Sequence, residues 1–336
     1  MSSLNVSLTR PFEQRLLKVL GGAWASPNHI RELSDFYISQ TGRETPWSEP
    51  NTLSAYLSYF LPLNVARLRS VWREVRRFLN DSDISEVWDF GSGLGATQWV
   101  LEDESWLSSK PLYCLEISTK AIAGHENLLA SGPSKFKPQF VKGVSPRKGA
   151  IAVFSYSFLE MQKGLPPLEN FAHLLVVEPS TRECGRQLME WRQKAIVKGF
   201  NPLAPCTHNQ ACPLLVQSGR DWCHMRVSFQ SPEWFQQIED HLPMKNRTLT
   251  YSYLLLSQEK TNTDWYGSTR VIGDTLEERG KTRQMICRGP QREFLSWLSR
   301  DGEAPRIPHG ALIKSLGTPD LKGSEVRASR DLKWTE

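Results

Sequence analysis

The segment Glu86-Val87-Trp88-Asp89-Phe90-Gly91-Ser92-Gly93-Leu94-Gly95 constrains the fold more than any other stretch of the chain. A strand-like run leads directly into three alternating glycines, and a helical run from Ala96 to Leu101 follows. Glycine accepts the positive φ of a sharp reversal, and a helix starting there leaves free N–H groups and the positive end of its dipole for a ligand. Leu112–Glu116, Ile151–Tyr156 and His173–Glu178 are short apolar runs bounded by turn residues and read as parallel strands, with Tyr251–Ser257 a later strand closing the sheet. Bound molecules in such sheets lie beyond the carboxyl ends of the strands.

Around this core, the first 80 residues read as helical. Phe12, Leu16 and Leu20, then Ile30, Leu33, Phe36 and Tyr37, recur at helical spacing, and Val65, Leu68, Trp72, Val75 and Phe78 mark a helix from Leu63 to Leu79 after a break at Pro62. That last helix carries Arg67, Arg69, Arg73, Arg76 and Arg77, an arrangement suited either to phosphate contact or to plain solvation. Segments 269–274, 283–288, 292–298 and 311–314 read as strands of a small basic C-terminal module. The domain boundaries expected are a helical extension at 1–80, a nucleotide-fold domain at 81–260 with a cysteine-rich insertion at 203–224, and a β-rich module at 261–336. With 41 basic and 36 acidic residues the net charge is +5, compatible with an RNA partner but too small to require one. The chain opens without a basic-then-apolar leader and has no run long enough to span a bilayer, so a reducing compartment and reduced thiols are expected.

Cys206, Cys212 and Cys223 fall within 18 residues, among Pro, Asn, His, Gln and Asp rather than in a periodic apolar run. Irregular, proline-punctuated loops rich in cysteine suit zinc or an iron–sulfur cluster, with His208, His224 or Cys287 as candidates for a fourth ligand. Buried filler is the alternative for such residues.

The spacing Asp89-x-Gly91-x-Gly93-x-Gly95 differs from the dinucleotide fingerprint and resembles motif I of class I S-adenosylmethionine methyltransferases. The resemblance implies that Asp89, Gly91, Gly93 and Gly95 border the methionine end of the cofactor, and that Glu116, 21 residues after Gly95, holds the ribose hydroxyls. Ser155, Tyr156 and Glu178 would then face a methyl acceptor. No Asn/Asp-Pro-Pro-Tyr/Phe motif follows the strand, where the chain reads Phe154-Ser155-Tyr156-Ser157-Phe158. Ala204-Pro205-Cys206-Thr207 resembles a cytosine-methylating loop but lacks the aspartate, with Leu203 in its place, so no catalytic residue is assigned.

Tyr56-Leu57-Ser58-Tyr59-Phe60-Leu61-Pro62-Leu63-Asn64, Val177-Glu178-Pro179-Ser180-Thr181, Pro205-Cys206-x5-Cys212-Pro213-Leu214 and Asp221-Trp222-Cys223-His224 join the glycine motif in one pattern. That pattern resembles the methyltransferase-like proteins of the mitochondrial small ribosomal subunit and their bacterial relatives. It implies a class I (Rossmann-like) α/β methyltransferase fold binding S-adenosylmethionine, and a 4Fe-4S cluster on Cys206, Cys212, Cys223 and Cys287, zinc being the alternative. It also implies contact with small-subunit ribosomal RNA during subunit assembly or translation, by a protein monomeric off the ribosome and without a membrane. The expected compartment is the mitochondrial matrix for a eukaryotic member and the cytoplasm for a bacterial one. The chain departs from the pattern in a longer Cys212–Cys223 interval and in Ser180 where glycine is usual; Cys114 and Cys184 read as structural thiols. Three classes of function stay open: an RNA methyltransferase, a non-catalytic assembly factor and a cluster-bearing redox enzyme. A radical S-adenosylmethionine enzyme is disfavoured because its C-x3-C-x2-C loop is absent.

Overall fold

The computed structural model describes residues 5–40, 43–103, 107–162, 164–259 and 265–335. It contains two compact units. One is formed by residues 5–178 and 227–249, the other by described residues within 179–226 and 250–335.

In the first unit, strand Glu86–Phe90 is buried along its whole length and lies between strands Leu112–Leu115 and Ala150–Ser155, parallel to both. Strand His173–Glu178 extends the parallel order beyond Ala150–Ser155, and Gln139–Phe140 extends it beyond Leu112–Leu115. Strands apolar on both faces must be covered on both faces, which explains why these runs lack the alternation of a half-exposed sheet. The parallel sheet with its strand–glycine turn–helix start is the α/β methyltransferase fold expected from the sequence.

The N-terminal helices pack within this same unit. Helix Arg10–Leu20 ends on Gly21 in the left-handed conformation, and Ser26 caps Pro27–Ser39 by accepting from His29 N at 3.3 Å. The expected break at Pro62 is corrected: helical chain continues from Thr52 to Phe78, with Tyr56–Phe60 wound as a π turn. Proline has no N–H to donate and its ring crowds the carbonyl four residues earlier; the wider turn immediately before it absorbs that misfit. Leu63, Val65, Leu68, Val71, Trp72, Val75 and Phe78 then line the buried face.

In the second unit, Asn201–Ala204 runs antiparallel to the end of Thr248–Ser257. A separate six-stranded sheet takes the order Leu312–Ile313, Thr269–Glu278, Lys281–Cys287, Glu293–Leu298, Glu325–Arg327, Asp320–Lys322. All its pairings are antiparallel except that of Glu293–Leu298 with Glu325–Arg327. Val271, Ile286, Leu295, Trp297, Ile313 and Val326 form its core.

Glu86 fixes the start of the central strand of the first unit. Only 1% exposed, it accepts from Trp88 Nε1 at 2.8 Å and from Arg147 N and Nε, each at 2.7 Å. Burial alone would raise its pKa, but the Arg147 and Trp88 bonds outweigh burial and hold it below the ordinary carboxylate value. The stabilisation is therefore complete at neutral pH and is lost as pH falls through the ordinary carboxylate range. Glu86→Gln should lower stability by roughly 2–3 kcal/mol at neutral pH. Urea unfolding should show that difference shrinking at about pH 3.

Candidate cofactor and cysteine sites

The glycine turn lies in the first unit, and all three of its glycines have positive φ: +67° at Gly91, +51° at Gly93 and +79° at Gly95. Gly91 N and Ser92 N donate to Leu115 O at 2.8 and 3.2 Å, tying the turn to the neighbouring strand. The glycines differ in what surrounds them. A Cβ on Gly91 would stand 2.6 Å from Ser157 Cβ, and one on Gly95 only 2.1 Å from His125 Nε2. On Gly93 a Cβ would meet nothing nearer than the Trp47 ring at 3.6 Å. Gly91 and Gly95 thus admit protein packing, and Gly93 borders open space beneath Trp47.

His125, missed by sequence reasoning, is the residue that requires Gly95. Its buried ring places Nε2 2.7 Å from Gln98 Oε1, and burial lowers its pKa to about 4, so it packs as a neutral imidazole. Glu116 closes its strand as expected and grips the turn: Oε2 accepts from Gly93 N at 2.9 Å and Oε1 from Ser118 N at 2.8 Å.

Acidic groups accumulate around this turn. Asp89 is 1% exposed, and burial, reinforced by the charge of Glu116 and opposed by Thr97, raises its pKa to about 7. Its Oδ1 is buried with no hydrogen-bond partner. Glu160 is raised to about 8 by burial and by Glu178, Glu44 and Glu116; Glu178, at the end of its strand, is raised to about 8 by burial although Leu159 N donates to it at 3.1 Å. Tyr156 holds φ +62°, its hydroxyl buried and unpartnered, its ring 6.0 Å from the Arg67 guanidinium. Burial raises its pKa to about 12, with Arg67 opposing. Trp47 and Tyr56, with ring centres 4.9 Å apart, add an aromatic wall. Glu160 and Trp47 carry no motif, which is why the sequence did not single them out, while Tyr56 entered only as part of the Tyr56–Asn64 element of the family pattern.

The four cysteines expected as ligands all lie in the second unit. Cys206 follows the cis Ala204–Pro205 bond, Cys212 precedes helix Pro213–Val216, and Cys287 ends strand Lys281–Cys287. Cys223 sits in a loop whose Trp222 Nε1 donates to Ser180 O at 2.7 Å and whose Cys223 carbonyl accepts from Ser252 Oγ at 2.9 Å. Gly185 makes that approach possible, since a Cβ there would stand 2.9 Å from the Trp222 ring.

Arginines of helix Arg182–Val197 hold the loops. Arg186 donates to the carbonyls of Leu214, Leu215, Ser218 and Asp221, and Arg192 to those of His208 and Gln210. Burial raises the thiol pKa of Cys212, Cys223 and Cys287, and neighbouring cysteines add to it. The four keep 7–9% exposure while Cys114 and Cys184 keep 0 and 1%, so the first set borders space that the second does not. His208 Nε2 is 3.3 Å from Cys287 Sγ. Among the described residues, no three His, Cys, Asp or Glu side chains converge closely enough to hold one metal ion.

Arginines of the basic helix and of the basic C-terminal module are engaged within the chain. Arg288 forks onto Glu293 at 2.7 and 2.8 Å, Arg283 pairs with Glu278 at 2.6 Å, and Arg77 with Glu74 at 3.2 Å. Arg73, exposed, donates to Asn5 O at 2.9 Å.

A family model described as mitochondrial small ribosomal subunit Rsm22 matches residues 50–336. The chain belongs to that family. The match takes in both the glycine turn and all four cysteines of the second unit. No curated protein sequence matches the Rsm22-family chain. Among solved structures, it is similar to a proposed RNA methyltransferase of Pyrococcus horikoshii at 14% identity, covering 68% of this chain and 97% of that one with a TM-score of 0.33. It is also similar to the magnesium protoporphyrin IX methyltransferase of Synechocystis, at 9% identity with 58% and 81% coverage and a TM-score of 0.33. A third likeness is to TrmK of M. capricolum, at 10% identity with 56% and 68% coverage and a TM-score of 0.31. No helix among the described residues is long and apolar enough to cross a membrane.

The contact between Gly95 and His125 can be isolated by mutation. Gly95→Ala combines a disfavoured φ with a ring collision and should destabilise the protein by about 2–4 kcal/mol. In a His125→Ala background the same change should cost at least about 1 kcal/mol less, a coupling measured by a double-mutant cycle in urea.

Proposed function

We propose that this Rsm22-family protein binds S-adenosylmethionine in its first unit and a four-iron, four-sulfur cluster in its second, and serves the small ribosomal subunit as an RNA-contacting assembly factor. The observation that carries the cofactor reading is the group of buried acids at the glycine turn, above all the unpartnered Oδ1 of Asp89. S-Adenosylmethionine carries a sulfonium and an ammonium, and when bound it supplies an electrophilic methyl group. Asp89 would face its cationic end, Gly93 would let its backbone approach, and Glu116 would release backbone N–H groups to accept ribose hydroxyls.

The cysteine reading rests on four cysteines of the family pattern within one unit, each keeping 7–9% exposure, with no three gathered tightly enough for one ion among the described residues. A cluster attaches each thiolate to a different iron and so holds them farther apart than a single tetrahedral ion does, which favours it over zinc. The ribosomal reading follows from family membership, and the family description favours the mitochondrial matrix. An active RNA methyltransferase is a second reading. It draws on Glu178 and Tyr156 at the carboxyl ends of their strands, where a carboxyl with pKa about 8 can take a proton from an acceptor nitrogen.

Cofactor binding should be linked to protons. Raised folded-state pKa values mean that the unliganded protein loses stability as pH rises from the ordinary carboxylate range towards 8, and a bound cation should drive Asp89, Glu160 and Glu178 to ionise. Affinity for S-adenosylmethionine should therefore rise between about pH 6 and pH 8, with proton release. Calorimetry in two buffers of different ionisation enthalpy measures that release. Binding without it, or no binding by folded protein, contradicts the reading.

RNA contact is expected through the helix face of Arg73, Arg76 and Arg77, where Arg73 and Arg76 are exposed, whereas Arg288 is half-buried and forked onto Glu293. Replacing the three helix arginines by glutamine should flatten the slope of log K against log salt by about two to three units for small-subunit RNA. Arg288→Gln should change it by well under one unit. Equal effects would remove the distinction.

A further inference from the structure

The segment that carries Trp47 is held in place within the first unit. Tyr37 Oη and Thr45 Oγ1 are hydrogen-bonded at 3.0 Å, Trp47 N donates to Thr45 O at 2.8 Å, and Lys120 Nζ, on helix Thr119–Ala130, donates to Ser48 O at 3.1 Å. The ring paired with it, Tyr56, opens the π turn Tyr56–Phe60, a winding that recurs at functional sites. The two ring centres are 4.9 Å apart and the planes are inclined by 56°. Trp47 reaches the glycine turn at Gly93, whose N–H Glu116 holds: a Cβ built on Gly93 would lie 3.6 Å from Trp47 Cζ2. Asn64 Nδ2 donates to the Tyr56 hydroxyl at 3.2 Å, and burial raises the phenol pKa, so both rings stay uncharged at neutral pH. On the same turn, Asp89 Oδ1 is buried with no hydrogen-bond partner, a group that a ligand would complete.

The rings can do what the acids beside them cannot. S-Adenosylmethionine and its demethylated product, S-adenosylhomocysteine, share an ammonium, a carboxylate and the ribose hydroxyls. They differ in one methyl group and in the charge on sulfur. A sulfonium has no N–H or O–H to donate, so hydrogen bonds do not read it. The electron-rich face of an uncharged aromatic ring does, indole best of all, and the attraction grows as water is excluded. Carboxylates act on ammonium and sulfonium alike.

We propose that Trp47 and Tyr56 are specificity-determining residues of the cofactor site, whose ring faces recognise positive sulfur and make the site prefer S-adenosylmethionine to its neutral product. The proposal rests on the cofactor reading above. Occupancy of such a site follows the ratio of methyl donor to demethylated product and not their sum. That property gives a purpose to cofactor binding in a chain that lacks the acceptor motif of an amino methyltransferase.

The test uses the full chain as wild type, Trp47→Phe and Trp47→Leu. Calorimetric dissociation constants for S-adenosylmethionine and S-adenosylhomocysteine are measured on each, with thermal unfolding as the check on folding. Wild type should bind the sulfonium form roughly 2- to 30-fold more tightly than the thioether. Trp47→Leu keeps every acid of the site and loses only the ring, so it should weaken the sulfonium form more than the thioether and shrink the preference. Trp47→Phe, a smaller ring, should lie between. If Trp47→Leu does not fold, Trp47→Phe carries the test: a reduced preference supports the proposal, and the full wild-type preference overturns it. A folded wild type that binds neither compound overturns the cofactor reading and this proposal with it. A wild type that binds both equally, or a folded Trp47→Leu that weakens both by the same factor, overturns the proposal alone.

Discussion

Carboxyl burial around the glycine turn is the constraint on which the first unit depends. Asp89, Glu160 and Glu178 are held near neutral pH values by burial, and Asp89 keeps an unpartnered oxygen. Carboxyls can relieve burial by taking up protons, so the first site adapts to the absence of a ligand.

Acids beside a glycine turn and the Trp47–Tyr56 ring pair suit a compact cation with a hydroxyl-bearing sugar, as S-adenosylmethionine is. Family membership ties the chain to the small ribosomal subunit.

The parallel strands, the glycine turn and Glu116 were legible because each is encoded by neighbours in the chain: glycines that permit positive φ, short apolar runs, an acid at a strand end. The cysteine-rich stretch was visible in the sequence for the same reason, and among the described residues no three His, Cys, Asp or Glu side chains converge on one ion there. His125 was not, since its contact with Gly95 joins residues 30 positions apart and leaves no local pattern. The π turn at Tyr56–Phe60 was missed because proline reads as a break unless the turn before it can widen. Arg192 left a signal, an arginine on the apolar stripe of its helix. The carboxylate partners of Arg283 and Arg288, Glu278 and Glu293, are nearby in sequence, yet the pairing had to be seen in space.

The most direct test of this account is the metal content of the protein purified without oxygen. About four irons and four acid-labile sulfides per chain, with broad visible absorbance lost in Cys212→Ser, are the predicted result. Stoichiometric zinc in a colourless protein, or a folded protein with no metal and fully reduced thiols, would contradict it.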